Sequence, residues 1–184
     1  VVKAYEEFTL QSATSIAERF GRDIGHISRV SSVALEIYDK MKKLHGYKLR
    51  ERTLLQVSAI LQDIGKYVNV KNHALLSYNT ITNLDIVGIN DHERLIIATV
   101  CYYHNGNIPS MDSPIYNQLS QEDRVMVSKL AAILQISNAI NTSHSPKFEQ
   151  VSVNMKNGKL NIYLTTLKNI NLEKWAFIAK TKLF

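Results

Sequence analysis

Apolar side chains recur at steps of three and four through the first 141 residues, and at steps of two beyond Pro146. That change of period limits the fold more than any single motif does, because the first repeat buries one face only as a helix and the second only as a strand. After Asp23, the residues Ile27, Val30, Ala34, Ile37, Met41 and Leu44 form one stripe that stops at Gly46, which predicts a single core helix. A shorter helix is expected before it, from about Leu10 to Phe20, ending at Gly21. A third, roughly Arg50 to Ile64, carries Leu54, Val57 and Leu61 and ends at Gly65. All three glycines are read as left-handed caps.

Asn90 and Ser120 each stand three residues before a carboxylate, Glu93 and Asp123, so two further long helices should begin there. Between them, Asn105 to Leu119 holds Pro109 and Pro114 and reads as an extended surface loop. Beyond Pro146, Val151, Val153 and Met155 and then Leu160, Ile162 and Leu164 alternate with polar residues around Asn157-Gly158. This is the pattern of a β-hairpin with a type I′ turn. Leu172, Trp175, Ile178, Ala179 and Leu183 then predict an amphipathic helix after Asn171 that runs to the last residue with no stop signal, as if cut from a longer chain. The expected fold class is mostly α, with a helical body over residues 1–145 and a small α+β appendage, the hairpin plus its helix, over 146–184.

Hydrophobic content of 45% against 21% charged residues and three prolines supplies enough apolar surface for an ordered core, which excludes a disordered chain. No run approaches the apolar length of a membrane span and the first residues lack a signal-peptide pattern, so no membrane partner is expected. Cys101, the one cysteine, lies in the apolar run 96–101 and reads as a buried thiol, consistent with a reducing, cytoplasmic setting. Lys and Arg outnumber Asp and Glu by 15 to 14 over residues 1–141 but by 7 to 2 over 142–184, so the excess charge sits in the tail. Such a surface attracts polyanions, and lysines present for solubility explain it equally well. Nucleic acid is disfavoured as the polyanion, because only Tyr163, Trp175 and Phe177 accompany the tail lysines, and the last two fit a helix core.

Among candidate site residues, His26 falls at the margin of the second helix's apolar stripe, where a lone histidine is most often a satisfied boundary residue. Gln62 and Asp63 are expected in the last turn of the third helix. A carboxylate there meets the negative end of the helix dipole and requires a cation or donor, so Asp63 is expected to join a polar cluster with His26. Lys66 and Lys71 bracket the short loop from Asp63 to His73, which starts the next helix, and Arg22 and Arg29 bracket His26. For these cations a solvated helix face is the bland alternative.

Taken in order, His26, Leu61-Gln62-Asp63-Ile64-Gly65-Lys66, His73 with Ser77-Tyr78, Tyr103-His104 and Leu134 to Ile140 resemble the HD superfamily of helical metal-dependent phosphohydrolases. Leu130 to Leu134, Asn138 to His144, the basic hairpin and the Trp helix more closely resemble the C-terminal half of the exopolyphosphatase and guanosine pentaphosphate phosphatase family, from about Thr14 to Phe184. That resemblance implies an HD-like, bacterial-type domain in which His26, Asp63 and His104 are remnants of a metal site. Gln62 and Asn138 stand where the superfamily has a histidine and an aspartate. Two neutral amides replace an imidazole and a full charge, so a divalent metal is not expected here and no residue of this piece is expected to be catalytic.

The resemblance places hydrolysis, with its Mg²⁺, in preceding actin-like domains of a parent protein that releases terminal phosphate from polyphosphate or guanosine pentaphosphate. Nothing in this chain resembles those domains. The expected role of the piece is accessory: contacts with the catalytic domains and within a homodimer, and binding of polyphosphate or another polyanion through Arg22, Arg29, Lys66, Lys71 and His73. An autonomous HD-type phosphohydrolase acting on nucleotides is the alternative.

Overall fold

The computed structural model describes residues 2–184. The body contains helices α1 (Val2–Arg19), α2 (Ile24–Lys40), α3 (Lys42–His45), α4 (Leu49–Leu61), α5 (His73–Ile81), α6 (Asp91–Tyr103), α7 (Pro114–Asn117) and α8 (Gln121–Ile140). A 3₁₀ turn, Ile64–Tyr67, joins α4 to α5. The appendage is the antiparallel hairpin β1 (Gln150–Lys156) and β2 (Lys159–Thr165), followed by α9 (Asn171–Lys180). The fold is therefore mostly helical with a small α+β appendage, as the two periods predict. No helix among the described residues is long and apolar enough to cross a membrane.

Helix α8 is central. Every residue from Leu130 to Asn141 is buried, and α2, α4, α6 and α9 all pack against it. A helix buried all round must satisfy its polar side chains internally. Gln135 does so by donating to the carbonyls of Tyr103 and Asn107 at 2.7 and 3.0 Å, which fixes the end of α6 over α8. The expected caps are present: Asn90 accepts from the Glu93 N–H while Glu93 accepts from the Asn90 N–H, and Ser120 accepts from the Asp123 N–H. Asn157 and Gly158 have φ of 52° and 72°, the two positive values a type I′ turn demands.

Several elements depart from the sequence expectations. Helix α1 starts well before Leu10, because Glu6 is held by Arg50 at 3.1 Å, and Arg50 also clasps Glu93. The long helix after Asp23 breaks at Met41. His45 turns back to the Tyr38 carbonyl at 2.8 Å, drawing the last turn aside and leaving Leu44 62% exposed. The loop before α8 contains α7, opened by Pro114 at a position where a proline's missing N–H costs nothing. Helix α9 ends at Lys180 and shows its apolar stripe to solvent: Trp175 is 70% exposed, with Leu172 and Ile178 also out. Its buried side is Glu173 and Ala176, because Lys147 pairs with Glu173 at 3.1 Å and draws that edge inward.

Gly65 needs its own explanation. Gly21 and Gly46 are left-handed, as caps should be, whereas Gly65 is not among the positive-φ glycines. It lies inside the 3₁₀ turn, where an added Cβ would come within 2.3 Å of the His73 carbonyl oxygen and 2.5 Å of the Ser77 nitrogen. Its N–H donates to the Ser77 hydroxyl at 2.9 Å. The missing side chain lets the turn after α4 touch the start of α5, and so brings His73 to Asp63.

Candidate functional site

Where α2, α4, α5, α6 and α8 meet, a cavity of about 200 Å³ is lined by His26, Asp63, Lys66, His73, His104 and His144, with Asn105, Asn138, Asn141, Thr142 and Lys180. Asp63 follows α4 and opens the 3₁₀ turn, one step beyond the helical turn the sequence suggested. Its Oδ2 accepts from Lys66 Nζ at 2.7 Å, and its Oδ1 lies 3.1 Å from His104 Nε2 and 3.6 Å from His73 Nε2. These are the partners that a carboxylate at a helix end required. Burial alone would push the Asp63 carboxyl up, but the hydrogen bonds and charges of His104 and Lys66 outweigh it and hold the group well below the usual carboxylate range.

The two amides at the expected ligand positions have turned to one another. Gln62 donates to Asn138 Oδ1 at 3.1 Å, and Asn138 donates to Gln62 Oε1 at 2.7 Å and to the Leu134 carbonyl at 2.9 Å. Both carboxamide oxygens are thereby engaged, and neither carries a formal charge. A cation bound through His26, Gln62, Asp63 and Asn138 would have to break this buried reciprocal pair, so that set does not fit a metal.

His26 stands at the start of α2, where its N–H is capped by Asp23 at 3.1 Å. It lines the same cavity as Asp63, yet its ring is 5% exposed, its Nδ1 has no hydrogen-bond partner, and it stacks on His144 with centroids 3.8 Å apart. Burial, and then the neighbouring His144, push its pKa down to about 4, so the ring is neutral at pH 7. Burial lowers His73 and His144 in the same direction. Cys101 is fully buried beneath the site with its thiol pushed up by burial, as befits a structural sulfur.

Of the basic residues singled out from sequence, Lys66 and His73 line the cavity. Arg29 reaches its rim, donating to the His144 carbonyl at 2.7 Å. Arg22 instead donates to the Phe20 carbonyl at 3.1 Å and Lys71 is exposed, so neither lines the cavity. Sequence reasoning missed Lys180, grouped there with lysines of a soluble surface. Its stem crosses Gly106 and its ammonium is desolvated enough to lower its pKa, both because α9 folds back over α8. His144 was visible three residues past Asn141, but only its left-handed backbone, φ 58°, returns its ring to His26. A family model described as Ppx/GppA phosphatase, domain III, matches residues 10–180.

Proposed function

For a chain that belongs to the Ppx/GppA phosphatase family as its domain III, we propose an accessory role in which the domain holds the polyanionic substrate of a phosphoanhydride hydrolase and leaves its cleavage to other domains of the parent protein. The parent reaction is release of terminal phosphate from polyphosphate or guanosine pentaphosphate. One observation carries the reading: the cavity gathers Lys66, Lys180 and four histidines around a single carboxylate, Asp63, which Lys66 already neutralises. A concave site with surplus positive charge and low-dielectric walls concentrates phosphate chains and orients them by charge-assisted hydrogen bonds. The Mg²⁺-bearing catalytic half of the parent protein, its actin-like domains, is the proposed partner. The exposed apolar side of α9, Leu172, Trp175 and Ile178, supports a role in contacts with that half or with a second subunit.

The test is titration of the chain with long polyphosphate at two salt concentrations. Binding should weaken as salt rises, and Lys66→Ala combined with Lys180→Ala should lower affinity roughly tenfold or more and flatten the salt dependence. Salt-independent binding, or unchanged affinity in the double variant, would overturn the reading. Hydrolysis of nucleotides by the isolated chain would favour an autonomous phosphohydrolase instead.

A further inference from the structure

We propose that the turn between α2 and α4, with the facing surface of α8, is a docking site for an acidic protein segment that carries one large apolar side chain. Lys40, Lys42, Lys43 and Lys48 are all exposed, and no acid lies among residues 40–50. Leu44 and Leu49, on the same stretch, are exposed as well, which lysines present only for solubility do not require. A slot of about 180 Å³ beside them is lined by Met41, Leu44, Ala132, Ile133, Leu183 and Phe184. Lys129 lines the same slot with its ammonium 5.0 Å from the centre of the Tyr47 ring, and the exposed Lys182 adjoins Leu183 in sequence.

The turn is pinned internally, so this surface is presented rather than frayed. His45 Nε2 meets the Tyr38 carbonyl at 2.8 Å. Since a carbonyl can only accept, that nitrogen carries the proton, and Nδ1 accepts from the Tyr47 N–H at 3.0 Å. The His45 ring packs against both tyrosines, and the Tyr38 hydroxyl donates to the Lys48 carbonyl at 2.8 Å. Gly46 reverses the chain with φ of 71°. These contacts turn Leu44 outward and fix the backbone of Lys42 and Lys43 beside it, so little backbone entropy is left to lose on binding.

The chemistry of the surface selects the partner. An apolar cavity of about 150 Å³ takes a benzene ring, so the slot has room for one phenylalanine or leucine side chain. The surrounding lysines call for carboxylates on either side of that anchor. Acids near the turn are already engaged: Asp39 accepts from Arg52 at 2.8 Å and Glu51 from the Lys48 N–H at 2.8 Å, while Glu122 lines a separate hollow with Tyr47. Polyphosphate has no apolar group to place in the slot, and a bilayer takes up side chains that protrude rather than filling a recess, so a protein segment is the partner that fits. The surface is distinct from the histidine-lined cavity, since His26 and Met41 lie at opposite ends of α2, about 22 Å apart at 1.5 Å per residue.

The test measures fluorescence anisotropy of a dye-labelled peptide, one phenylalanine between runs of glutamate, against the same peptide with glycine in place of the phenylalanine. Burial of the ring should make the phenylalanine peptide bind at least about tenfold tighter. Its affinity should fall at least about tenfold in the Lys42→Glu, Lys43→Glu double variant and in Leu44→Asp, and stay within about twofold of the parent in Lys71→Glu, which lies beyond the other end of α2's cavity-facing half. The three altered side chains at the turn are exposed, so these variants should fold as the parent does. Equal binding of the two peptides, or unchanged affinity in the double variant, would overturn the proposal. Stronger competition at the same residues by long polyphosphate, or by vesicles containing phosphatidylserine, would assign the surface to a polyanion or a membrane and overturn it likewise.

Discussion

Two halves of one cavity have met the same problem, buried polar groups without water, in opposite ways. On the α8 side, Gln62 and Asn138 each offer a donor and an acceptor, and they saturate each other. On the α5–α6 side, the Asp63 carboxylate can only accept, and it depends on Lys66 and on the imidazoles of His104 and His73 that face it. Carboxamides close a polar site on themselves because each is both donor and acceptor, whereas a carboxylate only accepts and leaves a demand for donors or positive charge.

The α5–α6 side breaks most readily at its hinge. Gly65→Ala places a methyl group 2.3 Å from the His73 carbonyl oxygen, and should cost at least about 3 kcal/mol by urea denaturation, because backbone must move rather than a side chain. The α8 side should respond to single and paired changes very differently. Asn138→Leu strands the Gln62 amide in the core and should cost about 2 kcal/mol, while adding Gln62→Leu should recover much of that loss. A double-mutant cycle that finds the two changes additive would show that the amides do not act as a pair.

The pH dependence sharpens the contrast. The pKa of His26 is about 4 in the folded chain against an ordinary 6.5, so between those values the unfolded chain binds a proton that the folded chain refuses. The stability this contributes is fully present above about pH 6.5 and falls as pH drops toward 4. His26→Phe, which keeps an aromatic ring against His144, should flatten the stability curve in that window, measured as melting temperature against pH. Lys71→Ala should have the smallest effect, within about 0.5 kcal/mol of the parent stability, since the side chain is exposed and outside the cavity. A large loss of polyphosphate affinity in that variant would place the binding surface on the 68–72 loop instead.

Much of this was legible from residues 23–40 and 146–165, where local patterns report on local structure. The stripe from Ile27 to Ile37 is buried, and Asn157-Gly158 makes the turn its dipeptide calls for. The errors have a common cause. Gly65 resembled a helix cap because its spacing after Leu61 is that of a cap. Trp175 resembled core because its spacing is amphipathic. In both cases a contact distant in sequence decided: the α5 backbone for Gly65, and Lys147 pulling Glu173 inward for α9. At the site, Asp63 was marked as needing a partner by its place at a helix end, while nothing in the order of residues tied Lys180 to it, 117 positions away.

By itself, the sequence determined the helical body, its change to a hairpin near Pro146 and the loss of charge at positions 62 and 138, since period, turn chemistry and side-chain type act over a few residues. Only the tertiary structure decided that the two amides bond to each other, that His73 rather than His26 joins Asp63 and His104, and that Lys180 closes the cavity. Those outcomes depend on how α4, α5, α6, α8 and α9 pack, and packing is set by volume and hydrogen-bond satisfaction summed over the whole core.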